Sequence, residues 1–248
     1  MMKRMKKNSW ILWIALIFTA IPSWGQQSFA SISLGASLPQ GKYASTEGLS
    51  NSGYAKTGGA IKFDAAYFPV SYIGIGGSFS FGSNFANRDS LLQDMITHIE
   101  ESASSVIDIP DDAEILYGSG FWNYINLFVG PNFSLRPAQR LYIDVRVLAG
   151  ITVLRAPDQE LRINFDGTEI YNRTSGNKLA FGFTGGAGFR FMLNSDLALR
   201  VSADYFQSHA KFEYKFDIFR GVAEDVPPLS ADFPVRAVEI NLGLAYSF

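Results

Sequence analysis

The chain of 248 residues contains no cysteine, which excludes disulfides, a thiolate metal site and a cysteine nucleophile. Histidine is scarce as well: His98 and His209 are the two copies, so acid–base chemistry near neutral pH has little to draw on. Charged residues make up 18% of the chain and the formal net charge is −2, a balance that gives no general attraction to nucleic acid. Beyond residue 25 no apolar run approaches the roughly 20 residues that a membrane helix requires. Any membrane crossing is therefore made by strands.

What is present begins with a three-part start. Lys3, Arg4, Lys6 and Lys7 stand without an acid, residues 10–21 are apolar except for Thr19, and Pro22-Ser23-Trp24-Gly25 offers a small-residue cut after Gly25. This pattern predicts a secretory signal peptide over 1–25, followed by one β domain over 26–248. The absence of cysteine at the cut argues against a lipid anchor. Removing those four cations from 21 basic and 23 acidic residues leaves 17 and 23, a net charge of −6 for the exported chain.

The last twelve residues organise the remainder. Val238, Ile240, Leu242, Leu244, Tyr246 and Phe248 alternate with Glu239, Asn241, Gly243, Ala245 and Ser247, so a strand here has one apolar face and one small or polar face. Seven further alternating segments precede it, at 29–38, 58–67, 72–84, 121–136, 141–154, 179–193 and 197–207. Their joints run long, short, long, short, long, short, long. Within the third long joint, Phe165-Asp166-Gly167-Thr168 is a hairpin signal expected to prolong the flanking strands past the membrane. Strands of 10 to 16 residues already exceed the roughly 9 to 11 that a tilted membrane strand needs. A soluble eight-stranded barrel alternates in the same way but turns its apolar residues inward.

The closing alternation with its terminal Phe248, the eight segments, and Gly130-Pro131-Asn132-Phe133-Ser134-Leu135 in the fourth strand resemble the small outer-membrane barrels of the OmpA, OmpX and OmpW type, often labelled porin-family. The resemblance implies an all-β, eight-stranded antiparallel transmembrane up-and-down barrel in the outer membrane, with short periplasmic turns and long external loops. It implies lipid as a partner, and a final strand in which Ile240, Leu242, Leu244, Tyr246 and Phe248 are read by the barrel-assembly machinery. An extracellular partner of the long loops would be of unknown kind, and the resemblance leaves activity open because one fold hosts many functions.

By parity the lumen receives Lys62, Asp64, Arg136, Asp144, Arg146, Arg190, Arg200, Asp204 and Glu239, five cations and four anions. An eight-stranded barrel is just wide enough for side chains to fill, so these ions are expected to pair and plug it. The alternative is a narrow gated pore in which Arg146 or Arg200 changes partner, or a conduit for small apolar molecules. In the second long joint, Leu91, Leu92, Met95, Ile96, Ile99, Ala103 and Val106 recur at helical spacing with Asn87 or Asp89 as N-cap. That helix could lie over the mouth, pack on its own loops or dock on a partner. The same joint sets Asp89, Asp94, Glu100, Glu101, Asp108, Asp111, Asp112 and Glu114 against Arg88 alone. Asp108, Asp111, Asp112 and Glu114 do not match a calcium-loop spacing, so a solvated acidic loop is expected and neither a metal nor a cofactor.

For catalysis, a serine, a histidine and an acid would have to gather at the outer rim, as in outer-membrane lipases and lipid A deacylases. Ser208, His209 and Glu213 are close in sequence, but adjacent strand residues point to opposite faces. The sequence is accordingly read as non-enzymatic. Gly74-Ile75-Gly76-Gly77 and Gly185-Gly186-Ala187-Gly188 fall inside strands, where glycine serves close approach instead of phosphate binding.

Overall fold

The computed structural model describes residues 28–102, 109–110, 112–166, 168–174, 176–214, 216–219, 223–225 and 229–248. The expected signal peptide, the expected helix positions Ala103 and Val106 and, in the acidic joint, Asp108 and Asp111 lie outside the described residues. In chain order the elements are β1 (Phe29–Pro39), β2 (Ala55–Val70), β3 (Ile73–Ala86), α1 (Arg88–Ser102), β4 (Glu114–Ser119), β5 (Phe121–Ala138), β6 (Leu141–Arg155), β7 (Gln159–Phe165), β8 (Thr168–Thr174), β9 (Asn177–Met192), β10 (Leu197–Tyr214), β11 (Phe216–Phe219), β12 (Ala223–Asp225) and β13 (Leu229–Ser247).

Eight of these strands, β1, β2, β3, β5, β6, β9, β10 and β13, close into one antiparallel ring. The seam is β1 against β13, from Phe29 opposite Ser247 to Pro39 opposite Ala237, so the alternating C-terminal segment is the strand that shuts the barrel. The ring corresponds one to one with the eight expected segments. Its faces decide between water and lipid. Ile32, Leu34, Phe79, Val147 and Leu242 stand exposed on the outside, with Leu179 and Phe181 about 70% exposed, while Lys62, Asp64, Arg146 and Arg200 are buried within. A soluble barrel would invert this arrangement; an apolar exterior around a polar interior belongs in a bilayer.

The strands β2–β3, β5–β6 and β9–β10 are joined by short turns, which by the rule for such barrels lie on the periplasmic side. At the opposite end the joint 40–54 is irregular apart from a short 3-10 helix at Gly41–Tyr43, whereas the other long joints fold further. Strands β12, β11, β8, β7 and β4 form a second, five-stranded sheet in that order. The turn at Phe165 to Thr168 does make a hairpin, β7 to β8, yet it does not prolong β6 and β9. The ladder stops after Arg155 and Asn177, because Pro157 follows and has no N–H to continue the pairing. The break lets β7 and β8 turn Leu161, Ile163 and Ile170, each fully buried, toward the apolar core above the barrel mouth. Prolongation occurs instead in β10 and β13, which stay paired out to Tyr214 opposite Leu229.

Helix α1 starts directly after Asn87, whose carbonyl accepts from the Leu91 N–H at 3.1 Å and whose side-chain amide donates to Ser90 Oγ at 3.0 Å. One face of the helix, Leu91, Met95 and Ile99, is buried in the core that holds Tyr43, Trp122, Phe212 and Phe233. The helix thus roofs the mouth and packs on its own loops. Asp94 fixes it, accepting from the Gly48 N–H at 3.2 Å and from the Tyr54 hydroxyl.

Candidate functional site: the barrel lumen

The pleat sends every second residue of each barrel strand inward, and registry then decides which charges meet. Lys62 lies on β2, Asp204 on β10 and Glu239 on β13; Lys62 Nζ is 3.0 Å from Asp204 Oδ2 and also contacts Glu239. Arg146 on β6 reaches across the bore, with Nη1 2.7 Å from Asp64 Oδ1, Nε 2.8 Å from Asp204 Oδ1 and Nη2 2.7 Å from Asp204 Oδ2. Asp64 is shared with Arg200. These six side chains, three cations and three anions, form one connected cluster at mid-barrel. Nearer the short turns a separate pair forms: Arg190 grips Asp144 through Nε at 2.7 Å and Nη2 at 2.9 Å, and Ser134 donates to the same carboxylate at 2.8 Å. Phe29 divides the two clusters, its ring 4.0 Å from the Arg190 guanidinium and 5.2 Å from that of Arg200.

The structure therefore brings together eight of the nine side chains assigned to the lumen by parity, all of them buried. Arg136 is the exception. Although its parity is right, it sits at the last turn of β5, exposed, donating to the Gln139 carbonyl at 2.5 and 3.2 Å and lying 5.3 Å from the Tyr142 ring. Alternation assigns a face but not a height, and at that height the bore has already opened to solvent. Without Arg136 the five-to-four imbalance becomes four cations and four anions among the described residues. Buried charge is costly unless paired and hydrogen-bonded, and here every one has an opposite partner.

Sequence reasoning passed over what lies above the ions. Tyr124 donates to Glu239 Oε1 at 2.7 Å and lies 2.9 Å from Ser37 Oγ; Ser37 in turn donates to Asn84 Oδ1 at 3.1 Å. The Tyr124 ring stacks on Phe206 at 5.1 Å, and Phe206 meets Phe128 at 6.1 Å. These rings and Leu148 are inward and buried, and they merge with Trp122, Phe212, Phe233 and the buried face of α1 into a single apolar core. The signal was available: Trp122, Tyr124 and Phe128 share parity with Asn126 and Asn132. Glycines make the room. A Cβ on Gly82 would strike the Tyr124 ring, one on Gly182 would lie 3.1 Å from Phe128 Cζ, and one on Gly186 would strike the Asp204 carboxylate. Each of these large inward groups thus lies against a bare stretch of wall, on the adjacent strand for Tyr124 and Asp204 and two strands away for Phe128. In this roof, outside the bilayer, burial drives the Tyr43 hydroxyl well above the ordinary phenol range.

No catalytic grouping forms among the residues considered for one. The Ser208 hydroxyl points inward and donates to the Phe181 carbonyl at 2.9 Å, whereas His209 points outward and meets Asp232 at 2.6 Å. His98 is on α1, half-buried. Among the described residues no three histidine, aspartate or glutamate side chains gather as metal ligands would.

The model of the outer membrane protein beta-barrel domain matches residues 11–248. No curated protein sequence matches. Among solved structures, similar chains include Ail, the attachment invasion locus protein of Yersinia pestis, at 16% identity and TM-score 0.38, covering 89% of this chain and 99% of that one. A major outer membrane protein from Thermus thermophilus has 12% identity and TM-score 0.45, covering 89% and 99%. The outer membrane protease OmpT from Escherichia coli has 10% identity and TM-score 0.45, covering 93% and 100%. With the family model spanning nearly all of its length, this chain belongs to the outer membrane protein β-barrel domain family and is an eight-stranded barrel of the outer membrane.

Proposed function

We propose that the protein is a closed barrel with a structural and surface-interaction role, holding a folded platform of β4, β7, β8, β11, β12 and α1 above the outer leaflet. The observation that carries this reading is the neutral, fully paired set of eight buried charges across the bore. A barrel of this width has little space beyond its own side chains, and a roofed mouth does not suit free diffusion. The rival reading, a narrow pore, draws support from Arg146, which already bridges two carboxylates and could trade one for the other. Single-channel recording in planar bilayers separates the two. Silence at all voltages fits the closed barrel; steady openings that change on Arg146→Gln would replace it with the pore. A non-enzymatic role is supported by Ser208 and His209 facing opposite ways. Lipid A from cells expressing the native protein and His209→Ala should have the same mass spectrum.

A further inference from the structure

The bore is blocked twice, by materials of opposite chemistry, and the difference bears on how it could ever open. The lower block is ionic, from Arg200 through Asp64, Arg146, Asp204 and Lys62 to Glu239. Charged groups hold water strongly, so once their pairing is disturbed such a block can hydrate. Immediately above it, Tyr124, Phe128 and Phe206 span the bore with ring centroids 5.1 and 6.1 Å apart, laid against the glycine-bare wall at Gly82 and Gly182. The Tyr124 hydroxyl, donating to Glu239, marks the boundary. Beyond it Leu148, Trp122, Phe212 and Phe233 carry the apolar core up to Met95 of the roof, while the buried polar groups at these heights are bonded to one another or to the wall: Thr152 donates to Asn126, Asn126 to Ser80, Asn84 to the Ser37 carbonyl and Ser208 to the Phe181 carbonyl. Water gains few hydrogen bonds in so narrow an apolar constriction, which stays dry and bars ions by dewetting.

From this we infer that the aromatic tier, and not the ion pairs, seals the lumen from the outside, so that exchange of ion-pair partners alone leaves the barrel shut. The inference rests on the closed-barrel reading above and specifies where its outer seal lies. The chain has no native cysteine, so one engineered thiol reports without ambiguity. Ser202 is buried at the ionic level, its hydroxyl 3.3 Å from Asp204. Ser202→Cys is inserted into sealed vesicles, orientation is fixed by protease access to the external sheet, and methanethiosulfonate ethylammonium is offered on the long-loop side. Labelling should be absent in the otherwise native barrel and stay absent when Lys62→Met and Asp204→Asn are added. It should appear when Phe128→Ser, Phe206→Ser and Met95→Ser are added to that ion-pair variant. Labelling from that side in the ion-pair variant without the aromatic changes, or none in the combined variant, overturns the inference. Labelling in the otherwise native barrel would overturn the closed-barrel reading itself. Heat-modifiable electrophoretic mobility checks that each variant is folded, and Phe206→Ser alone replaces the triple change if that one fails to fold.

Discussion

At the scale of single residues, the contrast between Arg190 and Arg136 tests what parity alone cannot distinguish. Arg190 is fully buried, pairs with Asp144 and lies over the Phe29 and Tyr142 rings. Arg190→Ala leaves a buried carboxylate uncompensated and should lower stability by about 3–5 kcal/mol. Arg136→Ala, at an exposed turn, should leave the midpoint of urea unfolding in lipid vesicles within error of the parent. Equal effects of the two changes would mean that the ion pair does not hold the lumen together. Glycine supplies a second test. Gly82→Ala places a methyl group against the Tyr124 ring, and overpacking of this kind costs about 1–3 kcal/mol. In the same assay Tyr124→Phe, which keeps the ring and deletes the hydrogen bond to Glu239, should relieve little of that cost.

At the scale of elements, α1 and the β7–β8 hairpin are the parts most open to separate loosening, since neither belongs to the barrel ring. Met95→Ala removes a fully buried side chain from the roof and should weaken helix docking by about 2–5 kcal/mol. Hydrogen exchange would then accelerate in α1 while the β1–β13 ladder keeps its protection. Acid should loosen the same helix. Burial holds the His98 pKa below the ordinary 6.5, with Glu101 opposing the shift. A released helix therefore binds a proton more readily than a docked one, so His98's contribution is fully present above that value and is lost as pH falls through it. Exchange in α1, corrected for intrinsic rates, should be faster at about pH 5.5 than at about pH 7.5, and His98→Gln should flatten the difference. In the hairpin, Asp166 has a positive φ of 44°, which a β-branched side chain resists. Asp166→Val should fray β7 and β8 at a cost of about 1–3 kcal/mol, leaving the barrel intact.

At the scale of the whole molecule, the export and assembly expectations become proposals about the cell. The three-part start implies that protein recovered from outer membranes begins at Gln26, which intact mass would show directly. Phe248 is partly exposed and its backbone N–H donates to the Ser28 carbonyl at 3.1 Å. Phe248→Ala leaves that backbone bond in place, so the folded barrel should lose little stability. If the last strand is what the assembly machinery reads, the amount of folded protein in the outer membrane should nevertheless drop several-fold. Normal assembly of the variant would remove Phe248 from that role.

Much of this architecture was legible in the chain because a period of two is a local property: each of the eight segments carries its own inside and outside, and joint lengths alone order them antiparallel. The same rule placed Lys62, Asp64, Asp144, Arg146, Arg190, Arg200, Asp204 and Glu239 in one lumen. It could not say which carboxylate each cation would grip, since Lys62 and Asp204 are 142 positions apart and meet only when β1 closes on β13. Nor could it give height along the bore, which exposes Arg136 and lifts Tyr124, Phe128 and Phe206 into a layer of their own. Of the external sheet only the β7–β8 turn was signalled, because its strands are short and the sheet is assembled across joints, β4 with β7 and β8 with β11. Alternation within each segment thus determined the barrel and the polarity of its faces; closure of the ring, which fixes register and height, decided which charges pair, where the bore is dry and what roofs it.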